Sequence, residues 1–579
     1  MERNKKLAEI FEKMADILEF LGDNPFRIRT YRRVAKILEN LPMDIEEAIE
    51  SGYLYKIKGI GGSTLAKIEE FLKTGTVQKY EDLRKKVPEG LLELMEIPGI
   101  GPKTLKAAYE KLGARTKEDF FKALKDGSLS KLPGFGPKKV EKILKGIELW
   151  QKAQERIPLV VALPLAESVI EYLKKEVGHL IEQITVAGST RRMKETIRDF
   201  DILVSAKREN WKEIHKTFVS FPDIEDIQLH GETKSTILLK EHHRQCDLRT
   251  VEPDSWGAAL QYFTGSKHHN IKLREIAKDR GLKINEYGVF DIKTGQKVAG
   301  KTEEEVYAIL GMQYIPPEIR ENTGEIEAAL EHKIPKLVGY DELRGDLHMH
   351  TNWSDGLNTI EEMVKACIER GYEYMAISDH SQSARVANGL TPERFKEQKK
   401  EIEKIKKLYG DKITILWSVE VDILPDGSLD LPDELLKEFD FVTASIHSRF
   451  NQDNTERILK AMENPYVNLI GHPFGKQYGY REGYPLDFER VLKKAKETDT
   501  ALEINSQRED LDSQHIRQAV NEGVKLAINS DAHSIGQLWT VKVGLGLARR
   551  GWARAEDILN TQPLDVLKDF VNQKRKKFV

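Results

Sequence analysis

The sequence predicts a multidomain chain. An α-helical front section leads into an α+β centre with a small thumb-like subdomain, and a C-terminal (β/α)7-like barrel follows. Three observations predict this. A Gly-hydrophobic-Gly turn recurs three times between helical patterns in the first 140 residues. A strand-turn segment carrying Asp-x-Asp follows near residue 190. After residue 345, short apolar runs ending in His, Asp or Glu alternate with amphipathic stretches, the pattern of a parallel sheet covered by helices.

A length of 579 residues suggests roughly three to five domains. With 40% hydrophobic and 32% charged residues and no low-complexity tract, the composition is that of soluble globular proteins. No apolar run reaches the roughly 18 residues of a membrane span, so no membrane partner is expected. Met1 to Leu21 alternates charged and apolar residues at helical spacing and reads as part of the fold, not as a signal peptide. Two distant cysteines, Cys246 and Cys367, argue against a disulfide framework and for a cytoplasmic location. The net charge of −3 is unevenly spread: residues 1–150 carry about +5 and residues from 346 onward about −5. That split is compatible with a DNA-holding front and a cation-binding back. The expected boundaries are a helical domain at 1–85, a second helical subdomain at 86–151, an α+β unit at 152–253, a subdomain at 254–318, a linker at 319–344 and the barrel at 345–579.

The front repeats are Gly59-Ile60-Gly61-Gly62-Ser63, Gly99-Ile100-Gly101-Pro102-Lys103 and Gly134-Phe135-Gly136-Pro137-Lys138, each flanked by helical patterns. A glycine turn at a helix start lets a phosphate approach exposed backbone N–H groups. Lys103, Lys138 and Lys139 add charge at the same place. One Gly-x-Gly would merely close a helical hairpin. Three copies argue for contact with the DNA backbone, which positions a protein without reading sequence. They resemble helix–hairpin–helix modules.

The centre reads as strand 181–187, then Gly188-Ser189-Thr190-Arg191-Arg192, then Asp199-Phe200-Asp201 running into Ile202-Leu203-Val204. Residues two apart in a strand face one side, so Asp199 and Asp201 present paired carboxylates. Such hard oxygen ligands suit two Mg²⁺ or Mn²⁺ ions in phosphoryl transfer. Gly188 and Ser189 offer a helix-start anion site for a triphosphate, and Arg192 a bidentate cation. Asp247, in Gln245-Cys246-Asp247-Leu248-Arg249 after the strand-like run Thr236 to Leu239, is the candidate third carboxylate.

Gly-Ser followed by Asp-x-Asp points to the nucleotidyltransferase superfamily, in which this α+β unit is the palm. Tyr262-Phe263-Thr264-Gly265-Ser266-Lys267-His268-His269-Asn270, with Gly231-Glu232-Thr233-Lys234 and Ile284-Asn285-Glu286-Tyr287, closely resembles DNA polymerase beta and the bacterial and archaeal X-family polymerases over about residues 1–318. The resemblance implies that Asp199, Asp201 and Asp247 are metal ligands, with Asp247 also activating the primer 3′-hydroxyl. It implies that Ser189 and Arg192 bind the triphosphate and that Tyr262, Phe263 and Gly265 lie beneath the incoming sugar. Asn270 and Arg274 would touch the nascent pair and template, and Lys234 the DNA. The chain departs from polymerase beta at Gln245 and Lys267, where the animal enzyme has Arg and Asp.

Residues 1–75 also resemble the domain of polymerase beta that removes a 5′-deoxyribose phosphate through a lysine Schiff base. Lys67 falls at the nucleophile position, and Arg27 and Tyr31 at positions that hold the 5′-phosphate; the supporting lysine four residues earlier is Ser63 here. A Schiff-base lysine needs a lowered pKa and a fitted pocket. The alternative is a solvated helix lysine beside DNA.

In the last third, apolar runs end in His348-Met349-His350, Asp379-His380, Glu420, His447, His472 and Asp531-Ala532-His533, with helical stretches such as 359–370 and 394–408 between them. Of the seven histidines after position 345, six lie at these ends and only His515 does not. Mixed imidazole and carboxylate ligands suit Zn²⁺, Mn²⁺ or Fe²⁺. The pattern resembles the PHP family, which implies a cluster of up to three metals on His348, His350, Asp355, His380, Glu420, His447, His472, Asp531 and His533; all nine are present. Asp346, Arg449 and Lys476 are candidates for outer contacts. In bacterial X-family polymerases such a domain implies 3′–5′ exonuclease activity, with abasic-site cutting or 3′-phosphate removal in some members.

The expectation is therefore a gap-filling repair polymerase with 3′-end processing, acting as a monomer on gapped or primer–template DNA with dNTPs. The rival readings are a small-molecule phosphatase tethered by the front half, a template-independent nucleotidyltransferase, and an inactive DNA-binding scaffold.

Overall fold

The computed structural model describes residues 2–39, 41, 45–97, 99–478 and 481–578. The front is helical, and each glycine turn follows a 3-10 turn, Leu54–Lys56, Glu93–Glu96 or Leu129–Lys131. Each turn then opens a helix: Gly62–Thr74, Pro102–Leu112 and Pro137–Glu155. Proline at the first helical position of the second and third costs no hydrogen bond, because that N–H has no partner inside a helix. One apolar core runs through both helical subdomains, from Leu7 and Phe11 to Phe135 and Ile143.

The centre is a five-stranded mixed sheet. Phe200–Ser205 lies between Gln183–Val186, antiparallel to it, and Gln245–Val251, parallel to it. Lys234–Leu239 and Ile224–His230 extend the sheet beyond Gln245–Val251. Helices Trp256–Thr264 and Lys267–Asp279 and a three-stranded sheet form the next subdomain.

The strip 319–344, expected as a linker, instead completes that subdomain. It contains the helix Glu325–Leu330, and its Ile319, Ile326, Ala329, Ile334 and Leu337 are buried in the same core as Leu273 and Val306. Arg320 and Glu325 are fully buried, with Arg320 paired to Glu303 and Glu325 to His269. The strip lacks strong periodicity because its contacts are made by single residues reaching other elements.

The last third is a seven-stranded, all-parallel sheet in sequence order, and a bridge between Met349 and Ala532 joins its first and last strand ends. Alternate residues along a strand face opposite sides. One set, including Trp417, Val419 and Val421, packs in the main core; the other begins apolar and turns polar, as in Leu416, Ser418, Glu420 and Phe441, Thr443, Ser445. At the apolar end, Leu567 and Val571 of the C-terminal helix join Tyr374, Leu416 and Phe441 in a separate small core. This switch from apolar to polar along each strand places chemistry at the C-terminal strand ends. No helix among the described residues is long and apolar enough to cross a membrane.

Candidate active sites

The three front hairpins share one geometry. Gly59, Gly99 and Gly134 have φ of +112°, +89° and +82°, a region open to glycine at no steric cost. The residue between the glycines, Ile60, Ile100 or Phe135, is buried, and its N–H closes a tight turn to the carbonyl of Ile57, Ile97 or Leu132. A Cβ built at Gly61, Gly101 or Gly136 would meet nothing within 4 Å, so this side of each turn is open. Lys103 is 84% exposed beside the second turn, and Lys138 is exposed beside the third. Lys139 lies over the Phe135 ring at 3.8 Å.

In the first helical domain, Lys67 is half-buried. Its Nζ donates to Ser63 O at 3.0 Å and Ser63 Oγ at 2.8 Å, and lies 6.0 Å from the Tyr31 ring centroid. Burial, then the charge of Lys79, holds its pKa below the usual lysine value. Arg27 pairs with Asp23 at 3.1 Å. Ser63, the departure from the resemblance, is thus the direct partner of Lys67, and Lys79, which no motif marks, is the second cation.

In the central sheet, parallel pairing sets Asp201 directly opposite Asp247, and Asp199 precedes the strand by one residue. Ala187 N donates to Asp201 O at 2.7 Å. Gly188 follows at φ +57°, and a Cβ there would fall 2.4 Å from Asp201 Oδ2. Asp247 Oδ1 accepts from Thr236 Oγ1 at 2.7 Å and Gln245 Nε2 at 3.2 Å, while Lys234 Nζ pairs with Oδ2 at 2.7 Å. Burial, then the neighbouring Asp247 carboxylate, pushes Asp201 up to about 6; burial also raises Asp199, against Arg198 and Arg244. Mutually repelling, desolvated carboxylates are what a divalent cation relieves. Ser189 lies in the single helical turn Gly188–Arg191.

Arg192 is not a free cation here. It is buried, with Nε on Glu321 Oε1 at 2.8 Å and Nη1 on Thr264 O at 2.8 Å. Tyr262 and Phe263 meet edge to face at 5.1 Å, and Arg249 stacks on Phe263 at 4.7 Å. Asn270 Nδ2 donates to Tyr262 O at 2.7 Å, and Gln261 Nε2 donates to Asn270 Oδ1 at 2.9 Å. A Cβ at Gly265 would lie 2.3 Å from Asn270 Oδ1, so a larger residue there would displace the Asn270 side chain. Arg274 is exposed on the following helix.

All nine barrel residues converge. Three overlapping donor groups, each within 4.8 Å, comprise His350, Asp355, His380 and His533; His348, His350, Glu420 and Asp531; and His380, Glu420 and His447. His472 Nε2 lies 2.9 Å from Glu420 Oε1, so Glu420 joins both halves of the cluster. Buried donor atoms with no hydrogen-bond partner include His348 Nε2, His350 Nδ1, His380 Nδ1, Glu420 Oε2, His447 Nε2 and His472 Nδ1. Orphaned buried ligand atoms of mixed N and O chemistry fit borderline divalent metals. Burial and the adjacent imidazoles of His533 and His380 lower His350 to about 3, and burial and Arg508 lower His472 to about 4, which keeps both rings in the neutral, ligating form.

Outer residues orient this set. Asp346 accepts from His348 N at 3.2 Å and Ser530 N at 3.3 Å. Asp422 holds His447 Nδ1, and Arg508 Nε pairs with Asp531 at 3.2 Å. Glu503 accepts from His348 Nδ1 at 2.6 Å and from His472 N at 2.7 Å.

Several protein families and curated relatives match this chain. Family matches are to a helix-hairpin-helix domain at residues 2–77, a SAM-like helix-hairpin-helix tandem at 91–148, a DNA polymerase beta thumb at 259–321 and a PHP domain at 346–507. The chain is similar to the DNA polymerase/3′-5′ exonuclease PolX of Bacillus subtilis (strain 168), with 40% identity covering 98% of this chain and 99% of the relative. The chain belongs to the PolX family. Part of the chain is also similar to a probable phosphatase of Thermoanaerobacter sp. (strain X514), at 32% identity over 40% of this chain and 96% of the relative. A probable phosphatase of Acetivibrio thermocellus matches at 32% identity over 32% of this chain and 78% of the relative.

In this PolX-family chain the structure adds residues that the motifs did not mark. Glu503 sits on the strand Ala501–Asn505, which no terminal histidine announces; its signal is its position two residues after Ala501, on the polar-turning set. Asp379, read only as the neighbour of His380, accepts from Thr351 N, Thr351 Oγ1, Ser354 Oγ and Gln398 Nε2 and so braces the loop leading to Asp355. Arg191 pairs with Glu303 at 2.5 Å and bonds Thr264 Oγ1 at 2.9 Å, tying the palm to the thumb. Lys476 packs on Tyr478 at 4.0 Å, and Arg449 is exposed. His515 packs between Phe474 and Phe488.

Proposed function

We propose that this chain fills short gaps in DNA by template-directed synthesis at the palm and processes 3′ ends at the barrel, as a repair enzyme. The observation that carries the reading is the register that sets Asp201 against Asp247, with Gly188 closed over Asp201. Asp199, Asp201 and Asp247 are assigned to Mg²⁺ or Mn²⁺. The nine barrel residues are assigned to as many as three ions of Zn²⁺, Mn²⁺ or Fe²⁺. Divalent cations at either site supply electrophilic stabilisation of phosphoryl oxygens.

The chain's own residues do the rest. Asp247 takes the proton from the primer 3′-hydroxyl. Ser189, the Gly188 turn and Arg192 receive the triphosphate, with Arg192 leaving Glu321 to do so. Tyr262, Phe263 and Gly265 form the floor under the sugar, and Asn270 and Arg274 face the nascent pair. Lys234, Lys103, Lys138, Arg27, Tyr31 and the six hairpin glycines Gly59, Gly61, Gly99, Gly101, Gly134 and Gly136 are assigned to the DNA backbone. Lys67, with its lowered pKa, is assigned as the Schiff-base nucleophile of a 5′-deoxyribose phosphate lyase, beside Lys79. The chain is taken as a monomer of the cytoplasm, where the buried free thiols Cys246 and Cys367 stay reduced.

The phosphatase relatives favour a second reading for the barrel, removal of a 3′-phosphate in place of a nucleotide. A labelled primer in a one-nucleotide gap tests both, with a 3′-hydroxyl or a 3′-phosphate and with or without dNTPs. Asp201→Ala should lose extension and keep end processing; His348→Ala should do the reverse. Extension surviving in Asp201→Ala would sink the palm assignment. Release of phosphate without primer shortening would select the phosphatase reading.

A further inference from the structure

The barrel helix Val541–Arg550 packs onto the palm and thumb as well as onto its own sheet. Gly546 lets it come close to Met193, the residue after Arg192; a Cβ there would fall 2.3 Å from Met193 Cε. The helix ends at Arg550, whose side chain is 9% exposed. Its Nη1 donates to Arg192 O at 2.9 Å, Glu318 O at 3.1 Å and Glu321 Oε1 at 3.1 Å. Its Nε lies 3.6 Å from Glu195 Oε2. The oxygen it shares, Glu321 Oε1, is the one that holds Arg192 Nε at 2.8 Å. A single thumb carboxylate oxygen therefore serves one guanidinium from the palm and one from the barrel.

We propose that Arg550 is a positioning residue for nucleotide binding in the polymerase site, supplied by the other catalytic domain. It anchors the Arg192 carbonyl and shares Glu321 Oε1, and so sets how readily the Arg192 guanidinium leaves Glu321 for a triphosphate. The inference rests on the reading of Arg192 as a triphosphate ligand. In a buried cluster, an oxygen with two charged donors holds each less tightly than it would hold one. Without Arg550, Glu321 and Arg192 become an exclusive pair, which the incoming polyphosphate must break.

The test uses the full chain and measures kcat and KM for dNTP in one-nucleotide gap filling, with primer shortening in the absence of dNTP as a control on fold. Arg550→Gln should raise KM for the nucleotide on the order of tenfold, the scale of one hydrogen bond to a charged group, with kcat near wild type and shortening unchanged. Arg550→Lys should fall between, because lysine keeps the charge and loses the fork. Adding Glu321→Gln to Arg550→Gln should return KM toward wild type. An unchanged KM in Arg550→Gln, with Arg192→Ala raising it, overturns the proposal and leaves the Arg192 assignment standing. Loss of extension and shortening together in both Arg550 variants marks a merely structural contact and also overturns it. An unchanged KM in Arg192→Ala removes the Arg192 reading, and this proposal with it.

Discussion

At the scale of single residues, the palm depends on one missing side chain. Gly188 is held at φ +57°, with Asp201 Oδ2 only 2.4 Å from where its Cβ would be. Gly188→Ala should displace that carboxylate and slow extension roughly a hundredfold, the effect of a misplacement of about 1 Å. Primer shortening by the same variant should be unchanged. The raised pKa of Asp201, about 6 and caused by burial first and by Asp247 second, has a direct consequence. Above that value the carboxyl is an anion ready for a cation. As pH falls through it, Asp201 takes up a proton that a divalent ion must displace. At limiting Mg²⁺, extension should fall between about pH 7 and about pH 5, and added Mg²⁺ should restore it; an ordinary aspartate near 3.9 would show little loss in that window. A pH–rate profile at two Mg²⁺ concentrations separates the cases. Asp199, Asp201 and the six histidines at the ends of apolar runs were legible from local spacing and recurrence, and the set of nine barrel residues was completed by the PHP resemblance. Glu503, Asp379 and Glu321 were not, because their partners come from distant segments.

At the scale of elements, the hairpins separate two uses of glycine. Gly99 has φ +89°, and a Cβ there would press to 3.3 Å on Lys142 O, whereas Gly101 has an ordinary φ of −95° and open space. Gly99→Ala should therefore destabilise the front domain by about 1–2 kcal/mol, the penalty of a left-handed backbone for an L-residue. Gly101→Val should leave thermal stability nearly unchanged and weaken DNA binding, because its side chain stands where a phosphate would approach. Thermal melting and fluorescence anisotropy with a labelled gapped duplex read the two effects independently; equal binding by Gly101→Val and wild type would remove the hairpin from the interface. Helix positions were readable to within a few residues: the stretches 359–370 and 394–408 form Ile360–Glu369 and Pro392–Tyr409. The segment 319–344 was not readable, since its order comes from burial against the thumb and not from its own pattern.

At the scale of the whole molecule, palm and barrel share one continuous apolar core, and the barrel also touches the helical front through Asn358 to Tyr53 at 3.2 Å and Lys145 to Glu482 at 3.1 Å. The cluster of histidines and carboxylates closes the polar end of the barrel, where several buried ligand-type atoms have no hydrogen-bond partner. Loading it should raise the melting temperature of the chelator-treated protein. The linkage is worth about 2.7 kcal/mol at a hundredfold excess of ion over Kd. Scanning calorimetry with Mn²⁺ or Zn²⁺ should show the rise in wild type and a smaller one in His348→Ala; equal rises would place the ions elsewhere. By itself, the sequence determined the helical, α+β and barrel sections, the three Gly-hydrophobic-Gly turns, the Asp-x-Asp pair and the histidines at the ends of the apolar runs. These are local matters, set by period, spacing and glycine geometry. Only the tertiary structure decided that Asp247 lies against Asp201, that 319–344 belongs to the thumb, and that Arg550 of the barrel meets Arg192 of the palm. Such contacts join segments tens to hundreds of residues apart, and they are fixed by how whole domains pack, which no local pattern encodes.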